Sequence, residues 1–212
     1  MLDYAVIEAG EPPASRVLVL LHGRGADRSD MRGLASQLPR SWTTVIPDAP
    51  HPAAPWGYGP GFAWYRYLGG NVPEPDSFRT SLAELDALLD ALPEVVAFPP
   101  GRLLMGGFSQ GGTVSMAYAL TRPGRITHAL NFSGFLADHP DLTVNQQTAA
   151  GVRIFWGHGF SDGNIPFFFA ESGRSVLEAA GSVLQTRDYP IGHWIDPLEL
   201  AHAVAFVEAD PG

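Results

Sequence analysis

Three residue types at wide spacing could do chemistry together in this chain: Ser109, Asp162 and His193. Ser109 sits in Gly107-Phe108-Ser109-Gln110-Gly111, a Gly-x-Ser-x-Gly run. A serine there is expected on a sharp turn with its hydroxyl held away from the backbone. Alone, the pentapeptide also reads as a Gly-rich turn that happens to carry a serine. A serine hydroxyl is a poor nucleophile at neutral pH and needs a base. Histidine suits that task, and a carboxylate can orient it and stabilise its protonated form. The chain order Ser109, Asp162, His193 is the order expected when such a triad is carried by an open α/β sheet.

The alternatives are specific. Asp162 could cap the turn at Gly163-Asn164, and Asp138 and Asp141 are rival acids on the preceding loop. Of the seven histidines, His193 alone falls on the loop between the last expected strand and the last expected helix. His128 and His202 fall inside regular elements and read as structural. His22 and His158 precede glycines and read as turn-holding residues, while His51 lies in a long loop. The amide of Gln110, opening a helix, could face an oxyanion, and so could the amide of Arg24 within Gly23-Arg24-Gly25. A phosphate cradle or a dinucleotide fingerprint fits these glycines poorly, because the spacing and the lysine are missing.

The elements that must position these residues alternate between strand and helix. Continuous β-rich apolar runs at Val17–Leu21, Trp42–Pro47, Leu103–Phe108, Ile126–Phe132, Arg153–Trp156 and Ser182–Tyr189 predict strands buried on both faces. An edge strand is expected over Tyr4–Glu8, with a turn at Glu11-Pro12-Pro13. Apolar spacing predicts helices over Ser29–Leu38, from Asp76 to Pro93, and from Gln110 to Thr121. Another is expected after Pro166, with Phe169, Val176, Leu177 and Ala180 on one side. The last begins at an Asp196-Pro197-x-Glu199 capping box and turns Leu200, Ala201, Val204 and Val207 to the sheet. Alternation of this kind predicts a single α/β domain over residues 1–212, with a mostly parallel sheet and helices on both faces. The carboxyl ends of its strands would gather the candidate loops along one edge.

Between Pro47 and Asp76 the periodicity disappears, yet the segment is rich in proline and aromatics. It reads as a wall of a substrate site, too short for a cap domain, or as a loop that covers one end of the sheet. Trp64, Tyr65 and Phe135 are the candidate substrate-binding residues.

The formal net charge of −9 argues against a nucleic-acid partner. The absence of cysteine excludes disulfides, thiolate metal sites and a cysteine nucleophile. No apolar run is long enough to span a bilayer, and Met1-Leu2-Asp3-Tyr4 does not open a signal peptide. A cytoplasmic protein is the expectation. Phe167 and Phe168 could serve a homodimer interface, a substrate wall or ordinary packing.

The segments Leu21-His22-Gly23-Arg24-Gly25, Gly107-Phe108-Ser109-Gln110-Gly111-Gly112, Gly157-His158-Gly159…Asp162…Ile165-Pro166 and Gly192-His193 together resemble the phospholipase/carboxylesterase family of α/β-hydrolases. The resemblance runs from about residue 17 to the last helix. It implies an α/β-hydrolase fold, a Ser109–Asp162–His193 triad, Arg24 and Gln110 as backbone oxyanion donors, and no metal or organic cofactor. It also implies a small-molecule ester substrate, with a thioesterase or lysophospholipase activity as the alternative. A catalytically inactive ligand-binding hydrolase fold is the reading from another class. Two departures from the family pattern stand out. Arg24 replaces the usual leucine, and Arg66 stands where Ala63-Trp64-Tyr65 would usually be followed by an acid. Both should add positive charge at the mouth of the site and favour short or polar acyl groups over a long-chain tunnel.

Overall fold

The computed structural model describes residues 2–10 and 16–210, so the turn expected at Glu11-Pro12-Pro13 lies outside the described residues. The strands are β1 (Tyr4–Ile7), β2 (Arg16–Leu21), β3 (Trp42–Pro47), β4 (His51–Pro52), β5 (Phe62–Ala63), β6 (Tyr67–Gly69), β7 (Val72–Pro73), β8 (Arg102–Phe108), β9 (His128–Phe132), β10 (Arg153–Gly159) and β11 (Val183–Tyr189). The helices are α1 (Arg32–Ala35), α2 (Pro75–Asp90), α3 (Leu92–Val96), α4 (Gln110–Thr121), α5 (Gln146–Ala149), α6 (Phe167–Ala179) and α7 (Pro197–Glu208). Seven strands form the central sheet in the order β1-β3-β2-β8-β9-β10-β11. All neighbours run parallel except β1, which pairs antiparallel with β3 as the edge.

Side chains alternate across this sheet with the strand period of two. Val17, Val19 and Leu21 of β2 enter the core on one face, with Met105 of β8 and Ile154 and Trp156 of β10. Helices α2, α4 and α6 cover that face through residues such as Phe78, Val114 and Leu177. Leu18 and Leu20 point to the other face, where α1 and α7 supply Ala35, Leu200, Ala203, Phe206 and Val207. The sheet is therefore buried on both sides, as its apolar strands require.

Three helix expectations are corrected. Over Ser29–Leu38 only α1 is helical. The Asp27 carboxylate accepts from Ser29 N–H at 2.6 Å, and Asp30 accepts from Asp27 N–H at 3.0 Å, which offers the backbone a turn in place of a helix. Met31, Ala35 and Leu38 are buried all the same. In α6, Val176 is exposed, and the buried stripe is Ala170, Gly173, Arg174 and Leu177. Gly173 stands against the Trp156 ring, where a Cβ would meet the indole at 2.6 Å. Arg174 is neutralised by Asp188 at 2.7 Å. In α7, Ala201 is exposed while Glu199, Leu200, Ala203, Phe206 and Val207 are buried. A glycine and an arginine in one stripe, and a glutamate in the other, hide both from a purely apolar pattern. The segment between β3 and α2 carries the short ladders β4–β5 and β6–β7.

Candidate active site

Strand β8 runs straight into Ser109, whose backbone adopts φ 56° and ψ −117° before α4 begins. Few residues other than glycine hold such a conformation, and here the surroundings impose it. Ser109 N–H donates to Phe132 O at 2.8 Å, and Ser109 O accepts from Thr113 N–H at 3.0 Å. The turn is tight enough that a Cβ on Gly107 would stand 2.5 Å from the carbonyl carbon of Gly111. A Cβ on Gly111 would stand 2.4 Å from Leu21 O. Strand β2, the elbow and α4 thus touch through backbone alone.

The Ser109 hydroxyl lies 3.0 Å from His193 Nε2, and His193 Nδ1 lies 2.7 Å from Asp162 Oδ2. The Asp162 side chain is fully buried. Its other oxygen accepts from the N–H groups of Asn164 and Ile165 at 2.9 and 2.8 Å, so the carboxylate is satisfied and fixed. The turn-capping role that Asp162 could have had instead is thus performed by the same residue. The rival acids point elsewhere: Asp141 pairs with Arg79 at 2.5 Å, and Asp138 is exposed. The His193 ring packs on Phe108 at 4.6 Å between centroids.

Two further histidines hold the loops around this chain. Burial lowers the pKa of His158, and its Nε2 lies 2.9 Å from Ile165 O, closing the acid loop. Burial likewise lowers the pKa of His22. Its Nε2 accepts from Ala49 N–H at 3.0 Å, which leaves Nδ1–H to donate to Gly23 O at 2.7 Å. A neutral His22 in this one tautomer pins the Gly23-Arg24-Gly25 loop to the end of β3.

The hydroxyl opens into a cleft of about 580 Å³ at the carboxyl edge of the sheet. Met31, Leu34, Phe108 and Ile195 line one part of it, and Tyr65, Tyr67, Phe135, Ile165 and Phe169 line another. Arg24 and Gln110 stand on its wall beside Ser109. Gln110 is the first residue of α4, so its N–H has no acceptor within the helix. The Arg24 guanidinium is exposed and lies over the Tyr58 ring at 4.7 Å.

Of the residues expected to touch substrate, Tyr65 and Phe135 line the cleft and Trp64 does not. Trp64 is wholly buried, and its indole N–H donates to His22 O at 2.9 Å. It braces the loop of Arg24 from below. Arg66 also departs from expectation. It is exposed but outside the cleft lining. The Glu74 carboxyl is held below its usual range by Ser77 first, with Arg66 adding a smaller pull. Among the described residues, Arg24 is the one arginine on the cleft wall, where Asp30 is also present. His51 bonds Ser77 O at 3.0 Å and stands outside the lining too.

The side chain of Gln110 does something its motif does not announce. Its Oε1 accepts from Trp64 N–H at 3.1 Å and its Nε2 donates to Tyr65 O at 2.9 Å. One amide thereby ties the aromatic excursion to the elbow. The only signal for it is the residue type: glutamine can donate and accept at once. Among the described residues, no cluster of three or more His, Cys, Asp or Glu is arranged to hold a metal ion. Nor, among them, is any helix long and apolar enough to cross a membrane.

The family model of phospholipases and carboxylesterases matches residues 2–210. The chain belongs to that family. It is a serine hydrolase of the carboxylesterase and thioesterase class with the α/β-hydrolase fold. Acyl-protein thioesterase 1 of Eremothecium gossypii is 30% identical, over 96% of this chain and 92% of that one. A probable carboxylesterase, SOBER1-like, of Arabidopsis thaliana is 27% identical over 92% and 79% of the two chains. In fold the chain is similar to a carboxylesterase from Mesorhizobium loti, with a TM-score of 0.83 at 21% identity over 98% and 94%. The Bacillus cereus carboxylesterase gives 0.83 at 18% identity over 99% and 95%.

Proposed function

We propose that this protein is a carboxylesterase in which Ser109 is the nucleophile, His193 the general base and acid, and Asp162 its orienting carboxylate. The observation that carries this reading is the hydrogen-bonded chain from Ser109 Oγ through His193 to buried Asp162, opening into the cleft. His193 Nε2 takes the hydroxyl proton as Ser109 Oγ bonds the ester carbonyl carbon. The carbonyl electron pair moves onto oxygen, and the amides of Arg24 and Gln110 stabilise that charge. Collapse of the tetrahedral species breaks the bond to the alcohol, which leaves with the proton held on His193. Water then gives a proton to His193 and attacks the acyl carbon. The second collapse frees the acid and returns the proton to Ser109. Buried Asp162 stabilises the imidazolium that forms twice in this cycle.

The acyl group is short or polar. The aromatic part of the cleft is bounded by Tyr67, Phe135 and Phe169, and Arg24 can meet a negative group on the substrate. A thioester substrate is the second reading, favoured by the thioesterase name of the Eremothecium gossypii relative. Rates on p-nitrophenyl esters from acetyl to palmitoyl, with Ser109→Ala as control, test the main reading. Turnover should be highest on short chains, and Ser109→Ala should lower kcat by roughly 10⁵- to 10⁶-fold. Absence of Ser109-dependent turnover on any ester or thioester would refute it. Arg24→Leu keeps the backbone amide and should erase any preference for an anionic acyl group; an unchanged charge preference would remove Arg24 from substrate selection.

A further inference from the structure

Phe169 lines two cavities at once. One is the active-site cleft; the other is a second cavity of about 300 Å³. The two linings also meet along neighbouring residues of the chain. Gly70 and Phe135 face the cleft, while their chain neighbours Asn71 and Leu136 face the second cavity. The backbone along this boundary is pinned. Asn71 Nδ2 donates to Leu136 O at 3.1 Å, and Asp138 N–H donates to Asn71 O at 2.9 Å. Phe169, common to both linings, is half-buried, with its ring packed 6.1 Å from Phe135 and 4.1 Å from Phe168 between centroids.

The second cavity is lined mainly by Leu136, Ala137, Leu142, Val144 and Val176. Its volume reaches the lower end of the range for small-ligand pockets. Two of its polar lining residues sit at exposed positions, Asp138 and Ser172, and the Asn71 amide is already bonded. The interior therefore suits a hydrocarbon chain. Phe169 is the residue shared between this lining and that of the active-site cleft.

We infer that Phe169 sets the acyl-chain limit of this hydrolase. Its ring stops the chain at the aromatic end of the cleft, and the second cavity is the apolar extension that a smaller residue at position 169 opens. The inference rests on the reading of Ser109 as the nucleophile. A methylene taken out of water favours binding roughly fourfold, so admitting a few of them changes selectivity well beyond measurement error.

The test measures kcat/KM on p-nitrophenyl acetate, butyrate, octanoate and decanoate for the wild type, Phe169→Ala, Phe169→Leu and the double variant Phe169→Ala/Ser172→Trp. Phe169→Ala should raise the octanoate-to-acetate ratio by about tenfold or more. Phe169→Leu should move it the same way by less. Ser172→Trp, placed at an exposed lining position, should refill the second cavity and return the ratio toward the wild type. An unmoved octanoate-to-acetate ratio in folded Phe169→Ala overturns the inference. If that variant does not fold, an unmoved ratio in Phe169→Leu does so. A raised ratio that survives Ser172→Trp also overturns it, because the extra chain then lies elsewhere. Failure of the Ser109 reading is distinct: acetate turnover would persist undiminished in Ser109→Ala, and the inference would fall with it.

Discussion

The elbow at Ser109 and the aromatic excursion between β3 and α2 both line the cleft, and they are held differently. The elbow is set by backbone contact. Gly107, Gly111 and Leu21 approach so closely that no Cβ fits between them, and neighbouring carbonyl and amide groups fix Ser109 at φ 56°. The excursion has its own backbone ladders and bridges to the Arg24 loop at Ala26–Phe62, but its stretch from Trp64 to Tyr67 is also held by side chains. Gln110 grips Trp64 and Tyr65, Ser81 donates to Trp64 O, Ser77 accepts from Arg66 N–H, and Tyr58 accepts from Tyr67 N–H at 2.7 Å. The difference teaches where each region breaks. The elbow should fail all at once when a single atom is added. The excursion should loosen one bond at a time.

Gly111→Ala tests the first half of that contrast and should have the largest effect. Its Cβ needs β2 or α4 to move, and a displacement near 1 Å at a reacting group costs about a hundredfold. We expect kcat/KM on p-nitrophenyl acetate to fall at least that far, or the variant not to accumulate folded. Near-wild-type activity would show the elbow to be adaptable. Gln110→Leu keeps the backbone amide and removes both anchors of the excursion. It leaves a buried N–H and a buried carbonyl without their partner, at about 1–3 kcal/mol each. For a chain of this size that is a fall in Tm of several degrees, with kcat/KM lowered about tenfold. If Gln110→Leu melts and turns over like the wild type, the excursion has other supports. Tyr58→Phe removes one partly buried acceptor. It should cost about 0.5–1.5 kcal/mol and leave acetate turnover within about twofold, measured by melting and kinetics.

The smallest effect extends the comparison to the support beneath the histidine loop. Glu199 is wholly buried, with one carboxyl oxygen unpartnered by the protein and the other 3.3 Å from Asp196 N–H. Burial pushes its pKa up to about 8. The folded state therefore holds this proton more tightly than the unfolded chain does. Its contribution to stability is full below the ordinary glutamate pKa and is lost as pH rises toward about 8. The Tm of the wild type relative to Glu199→Gln should fall by a few degrees between pH 5 and 8.5. A gap that does not change with pH would mean Glu199 is ionised in the fold.

What the sequence makes legible follows the same division. The strands, the order of Ser109, Asp162 and His193, and the box at Asp196 and Glu199 depend on neighbours in the chain, so local pattern reports them. The role of Trp64 beneath the Arg24 loop and the grip of the Gln110 side chain depend on residues far apart in sequence. The stripe of α6 was hidden because Gly173 answers the Trp156 ring and Arg174 answers Asp188, both on other elements. The turns in place of a helix near Ser29 were readable in principle, since Asp27, Asp30 and Gly33 all disfavour continued helix. The apolar spacing of Met31, Leu34, Ala35 and Leu38 outweighed them, because burial does not require helix.

The central claim is that Ser109 is a nucleophile activated by His193 and Asp162. Its most direct test is treatment with a fluorophosphonate probe, followed by mass-spectrometric mapping of the adduct. The account predicts one phosphonyl group on Ser109, absent in Ser109→Ala and formed far more slowly in His193→Ala. Full-length protein that stays unlabelled, or that is labelled equally well in His193→Ala, would contradict it.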